Sequence, residues 1–198
     1  FLDDYASLIT ALITVQEISG EQKYLLKARE LTEYVIEHFS EPDTGFFFYT
    51  HRNQQDVIIR KKEVYDGAVP SGNSQMMYNL HYLSVVFDKK SWSERVEKVL
   101  SGFYQVVQEY PGSFGNWAGL ILERTAGTRE LVVVGKDYPR LLNELLRKYL
   151  PFRVLQSSSA PDGEFPLLTG KPSGDFPVIY NCFGYQCQPP VKTVEELF

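Results

Sequence analysis

In Lys61 to Ser74, KKEVYDGAVPSGNS, an acid (Asp66), a hydroxyl (Ser71) and an amide (Asn73) gather at the start of a long uncharged segment. If that segment is helical, its first N–H groups are free and attract anions and hydroxyl oxygens, which makes its mouth a candidate ligand site. A second acidic pair, Asp3 and Asp4, precedes another segment without charge. Two carboxylates with aromatic rings nearby are what sugar chemistry uses, an acid and a base flanking a bond while a ring stacks on the sugar. Asp4 and Asp66 are therefore the candidate acid/base or hydroxyl-binding groups. Asp3, Tyr5, Glu63, Tyr65, Ser71 and Asn73 are candidates to position the substrate, and Trp117 is a candidate stacking platform. Each has a structural competitor: Asp3 or Asp4 as a helix cap, and Asp66 as an acceptor for loop amides.

Other chemistries find less support. His38, His51 and His81 lack the i, i+4 pairing of a zinc site, so no metal is expected, and His81 reads as a hydrogen-bonded core residue. Gly135 follows an apolar run without a G-x-G-x-x-G, and no nucleotide or other cofactor is expected. Ser71 lies in P-S-G-N, which is not the nucleophile elbow, and reads as a cap or ligand contact.

Those residues need elements to hold them. A chain of 198 residues with 43% hydrophobic content can bury a sizeable core. The formal charge of -5, with no cationic cluster beyond Arg60, Lys61 and Lys62, excludes a nucleic-acid surface. The sequence predicts neither a membrane span nor a signal peptide, and so a soluble, cytoplasmic protein. It opens on Phe1 rather than methionine, as a fragment or processed piece would. Cys182 and Cys187 are too few for a disulfide framework; they pair if their loop folds back, but without a secretory signal a reduced pair is expected.

Tyr5 to Glu17 carries apolar or small residues on every side and predicts a buried helix; Glu21 to Phe39 alternates an apolar and a charged face and predicts an exposed one. Phe46 to Thr50 and Val57 to Lys61 read as a β-hairpin. Ser74 to Phe87 repeats the buried pattern, Ser91 to Tyr110 the amphipathic one, and Ser113 to Leu122 begins a third buried helix. Such an alternation predicts a mainly α fold, part of an (α/α)6 toroid-like array of helical hairpins over residues 1–127. Beyond it, Glu130 to Gly135, Tyr138 to Tyr149 and Phe152 to Leu155 read as β-α-β. Ser157 to Asp175 reads as a mobile loop, Pro177 to Tyr180 as a strand, and Thr193 as the cap of a last short helix, completing a small α/β subdomain over 128–198.

At LDDYA (Leu2 to Ala6), YDGAVPSGNS (Tyr65 to Ser74), VVVG (Val132 to Gly135) and CFGYQCQPPVKTVEEL (Cys182 to Leu197), the chain resembles the C-terminal portion of the YyaL family, also described as spermatogenesis-associated thioredoxin-like proteins. The match runs in order over essentially the whole chain. It implies a six-hairpin, glycosidase-like α/α region of which only about five helices are present, followed by a small α/β piece. It also implies a thioredoxin-like domain elsewhere in the intact protein, whose redox role does not carry over. An incomplete ring exposes inner faces, so an upstream segment, that thioredoxin-like domain or a second copy of the chain is an expected partner. Two functions follow as expectations: carbohydrate binding or processing of a glycosidase or epimerase type, or a non-catalytic scaffold that presents substrates to the thioredoxin-like domain.

Overall fold

The computed structural model describes residues 1–198. Helix α1 (Leu2–Ser19) pairs with α2 (Lys23–Phe39), and α3 (Gly72–Val86) with α4 (Lys90–Glu109); α5 (Gly115–Ala126) follows a short turn at Pro111–Ser113. Then come β1 (Arg129–Val134), α6 (Tyr138–Leu146), β2 (Arg153–Ser158), β3 (Val178–Phe183) and the two-residue β4 (Gln186–Cys187). The strands form one mixed sheet in the order β2-β1-β3-β4, with β1 and β2 parallel and the other pairs antiparallel. No helix is long and apolar enough to cross a membrane.

The fold is therefore a mixture of α and β, about half helical, and not the mainly α toroid-like array that the helix alternation predicts. The reason lies in what the sheet packs against. Alternate β residues point to opposite faces. Val132, Val134 and Val154 enter the same core as Ile9, Leu80 and Trp117, while Leu131, Val133 and Leu155 face α6 through Leu141, Leu142 and Leu145. The sheet is thus a middle layer between helices. Gly20 ends α1 with φ 74°, and a Cβ there would lie 2.6 Å from the Ser157 hydroxyl and the Tyr138 ring. Only glycine lets the helix end approach the sheet that closely.

Further expectations are corrected. α1 is not buried all round: Leu2, Ala6, Ile9, Ile13 and Gln16 face the core, but Leu8, Val15 and Ile18 are exposed. Nothing in the chain packs outside it. The hairpin at Phe46 to Lys61 is reduced to one bond between its arms, Tyr49 N–H to the Lys61 carbonyl at 2.8 Å, because neighbouring backbone groups have other partners. Phe47 exchanges both its bonds with the Asn73 side chain at 2.8 and 3.0 Å, and the Tyr49 carbonyl accepts from Leu2 N–H at 2.9 Å. Ser157 to Asp175 is anchored rather than loose, since β2 runs to Ser158 and Phe165, Leu167 and Leu168 are buried in the main core.

Cys182 and Cys187 are joined in a disulfide, against the expected reduced pair. They face each other across β3 and β4, a pairing that the sequence hides because β4 is only two residues long. Closing so short a loop removes little chain entropy, so the bond contributes about 2 kcal/mol at most. Unreduced protein should show no reactive thiol, and reduction should lower its denaturation midpoint modestly while freeing two thiols per chain.

Candidate functional site

The mouth of α3 is built as the sequence suggests, but its groups turn inward. Ser71 caps the helix, its Oγ accepting from Ser74 N–H at 3.2 Å. Asp66 Oδ1 accepts from Ser71 N–H at 2.9 Å and Ser74 Oγ–H at 2.7 Å. Asp66 Oδ2 accepts from the N–H groups of Asn116 at 2.8 Å and Trp117 at 3.4 Å. One carboxylate therefore serves the N-terminal turns of two helices, α3 and α5, where the helix dipoles favour negative charge. Asn73 is fully buried, its amide shared between Phe47 and the Glu63 carbonyl.

Trp117 is 0% exposed. Its indole N–H donates to the Val64 carbonyl at 2.8 Å and its ring packs edge-on against Phe46 and Phe103, so no face is open to a ligand. Tyr65 is exposed and its ring packs at a tilt against Phe114. Tyr5 stacks on Tyr34 at 5.2 Å, beside a shallow groove lined by Glu30, Glu33 and Glu37. Asp3 lies against the backbone of Gly72, its carboxyl pushed up by burial and by the nearby charges of Asp4 and Glu63. Asp4 and Glu63 are exposed. Asp3, Asp4 and Glu63 thus share one rim, while Asp66 is committed to helix amides.

A second hollow lies on the flank of α3. It is a cleft of about 510 Å³ between α1, α3, α5 and the Tyr149–Arg153 segment that leads into β2. Helical spacing explains its lining. Gln75, Tyr78, Asn79 and Tyr82 fall at i, i+3, i+4 and i+7 of α3, and Thr10, Thr14 and Glu17 at i, i+4 and i+7 of α1, so each helix turns one stripe toward the gap. Asn79 is held by Thr10 Oγ1 at 2.9 Å and by the Ala6 carbonyl at 2.9 Å. Pro70 and Asn116 close the end next to the Asp66 knot.

The far end is charged. Arg153 Nη2 donates to Glu17 Oε2 at 2.9 Å, and the Tyr82 hydroxyl lies 3.1 Å from Glu17 Oε1 and 2.9 Å from the Leu155 carbonyl. Burial pushes the Glu17 carboxyl up despite the opposing pull of Arg153 and Tyr82. On the wall between, His81 Nε2 lies 2.8 Å from Thr128 Oγ1 and 3.3 Å from Glu123 Oε1. His81 is a buried, hydrogen-bonded residue, as its place on an uncharged helix suggests. Burial and the Glu123 charge raise the Tyr78 hydroxyl above its usual range.

None of Thr10, Glu17, Gln75, Tyr78, Tyr82, Glu123 or Arg153 stands out in the sequence as a site residue. The available signal was the polar but uncharged stripe of α3, which absence of charge disguises as a core face. Glu17 and Arg153 are 136 residues apart, and only the packing of β2 beside α1 joins them.

No protein-family model matches the chain. It is 29% identical to an uncharacterised protein of Caenorhabditis elegans, over the whole of this chain and 28% of that protein. It is 26% identical to spermatogenesis-associated protein 20 of Mus musculus and of Homo sapiens, again over its whole length and 26% of theirs. The chain spans little more than a quarter of the length of the curated relatives it matches. Homology to spermatogenesis-associated protein 20 agrees with the resemblance read from the motifs.

Proposed function

We propose that the chain is the ligand-binding part of a carbohydrate-binding or carbohydrate-processing protein of the YyaL and spermatogenesis-associated thioredoxin-like family, and that its sugar sits in the cleft between α1, α3 and α5. The observation that carries this reading is the lining. Neutral amides and hydroxyls from Thr10, Thr14, Gln75, Asn79 and Asn116 alternate with the rings of Tyr78, Tyr82, Tyr149 and Phe152. Such a surface pairs with ligand hydroxyls through both donors and acceptors and offers π faces to the sugar's C–H edges. The site differs from the one that Asp4 and Asp66 suggest, yet it abuts it through Pro70 and Asn116.

Calorimetry against glucose, mannose, N-acetylglucosamine and maltose should give heats of binding for at least one of them. The affinity should fall at least tenfold when the half-buried Gln75 of the cleft wall is replaced by Leu. No heat from any of the four would remove the carbohydrate reading. The commitment of Asp66 to four donors favours a second reading, a scaffold that presents substrates to a thioredoxin-like domain. In that case a separately expressed thioredoxin-like domain binds the chain while sugars do not.

A further inference from the structure

The two ends of the disulfide between Cys182 and Cys187 differ in exposure. Cys182, on β3, is 0% exposed. Cys187 is exposed on β4, the edge strand of the sheet, and the contact of its Sγ with the Tyr185 carbonyl at 3.9 Å lies at the surface. Thiol–disulfide exchange begins with attack of a thiolate on one sulfur, and access decides which. Cys187 offers that access at the sheet edge; Cys182 does not.

Opening the bond leaves the chain around it in place, because hydrogen bonds hold that chain on both sides. In the turn between the cysteines, Tyr185 N–H donates to the Glu130 carboxylate at 2.8 Å and the Tyr185 hydroxyl donates to the Val85 carbonyl of α3 at 2.7 Å. Beyond Cys187, Gln188 N–H donates to the Asn181 carbonyl at 3.0 Å, and Val191 and Ile179 exchange both backbone bonds at 2.8 and 2.9 Å. The segment is therefore pinned before and after Cys187 without the sulfur bridge. A bridge between residues only five positions apart also restrains the unfolded chain little. Exposed disulfides of this kind are the labile ones, whereas those that hold a fold together resist reduction.

We propose that the Cys182–Cys187 bridge is a thiol-exchange site, opened in the folded protein by a dithiol reductant that attacks Cys187. The site is separate from the cleft and does not rest on the carbohydrate reading. In the first step a thiolate of the reductant forms a bond to Cys187 Sγ, the bond between the two cysteines breaks, and its electron pair leaves on Cys182 Sγ, which takes a proton from the solvent. The reductant's second thiol loses its proton to the solvent and attacks the reductant's first sulfur, releasing Cys187 Sγ, which is protonated in turn. The dithiol is oxidised to a disulfide by two electrons, and the cysteine pair gains those two electrons and two protons. Exchange in the reverse direction, with an oxidised partner, closes the bridge again.

The test exposes the oxidised full chain to excess dithiothreitol without denaturant and counts thiols as they appear. The native rate should rise in proportion to dithiothreitol and lie within about tenfold of the rate in concentrated urea. A disulfide that opens only in unfolded chains reacts more slowly by the unfolding equilibrium, at least about 1,000-fold. The reduced chain should keep its circular dichroism and a single unfolding transition. Brief exposure to reduced glutathione, quenched in acid, should leave the mixed disulfide on Cys187, located by fragment masses. Cys182→Ala, which presents Cys187 alone, should react with a thiol reagent at least about 100-fold faster than Cys187→Ala, which presents the buried Cys182 alone. A native rate more than about 100-fold below that in urea, an adduct on Cys182, equal reactivity of the two variants, or loss of folded structure on reduction each overturns the site.

Discussion

Replacing Asp66 by Ala should lower the unfolding free energy by about 3 kcal/mol, seen as an earlier midpoint in urea at unchanged slope. Removal of the carboxylate leaves the first turns of α3 and α5 without an acceptor at Ser71, Ser74, Asn116 and Trp117 together. A single helix cap contributes roughly 1 kcal/mol, and hydrogen bonds to a charged group contribute roughly 1.5–3. Asp66→Asn retains the shape and one acceptor oxygen but not the charge, and should cost about half as much. If Asp66→Ala left stability unchanged, the carboxylate would not be the joint between the two helices.

The second large effect belongs to Trp117. Trp117→Ala should destabilise by about 4 kcal/mol, the range for deleting a fully buried large aromatic and leaving a cavity. The loss has three parts: edge-on contacts with Phe46 and Phe103, the indole bond to the Val64 carbonyl, and the buried area itself. Trp117→Phe keeps a ring and should cost about 2 kcal/mol, mostly from the stranded carbonyl and the smaller volume. Thermal unfolding of both variants separates this role from that of a sugar platform, because a platform residue is exposed in the free protein and its removal alters binding more than stability.

Much of the scaffold is legible in local pattern. The helices at Glu21 to Phe39, Ser91 to Tyr110 and Tyr138 to Tyr149 announce themselves by apolar spacing, and ELVVVG by β-branched density. Helix α1 misleads because Leu8, Val15 and Ile18 are apolar yet open to solvent, and a hydrophobic residue does not report which side the rest of the molecule lies on. The sheet misleads for a related reason. Val132 and Val133 are equally apolar, and only three-dimensional packing decides that one joins the helical core while the other faces α6.

For the site, the sequence singles out groups at the mouth of α3, several of which the structure turns inward onto backbone. Acids beside a helix mouth attract attention, but Asp66 satisfies amides there because two helix N-termini converge on it. The cleft-lining residues come from α1, α3, α5 and the Tyr149–Arg153 segment, and contacts such as Tyr82 to Leu155 or His81 to Thr128 join positions 73 and 47 residues apart. No local spacing encodes them. Gln75, Tyr78, Asn79 and Tyr82 do share a helical stripe, and a stripe that is polar without being charged is the pattern to look for in other sequences of this kind.

On this reading ligand occupies the cleft on the flank of α3 rather than the helix mouth at Asp66. Backbone amide shifts of isotopically labelled protein titrated with the sugar that gives the largest calorimetric heat test it most directly. Shifts should concentrate at Thr10, Tyr78, Asn79, Tyr82 and Tyr149. Shifts confined to Asp3, Asp4 and Glu63 to Asp66, with the cleft residues unmoved, would contradict it.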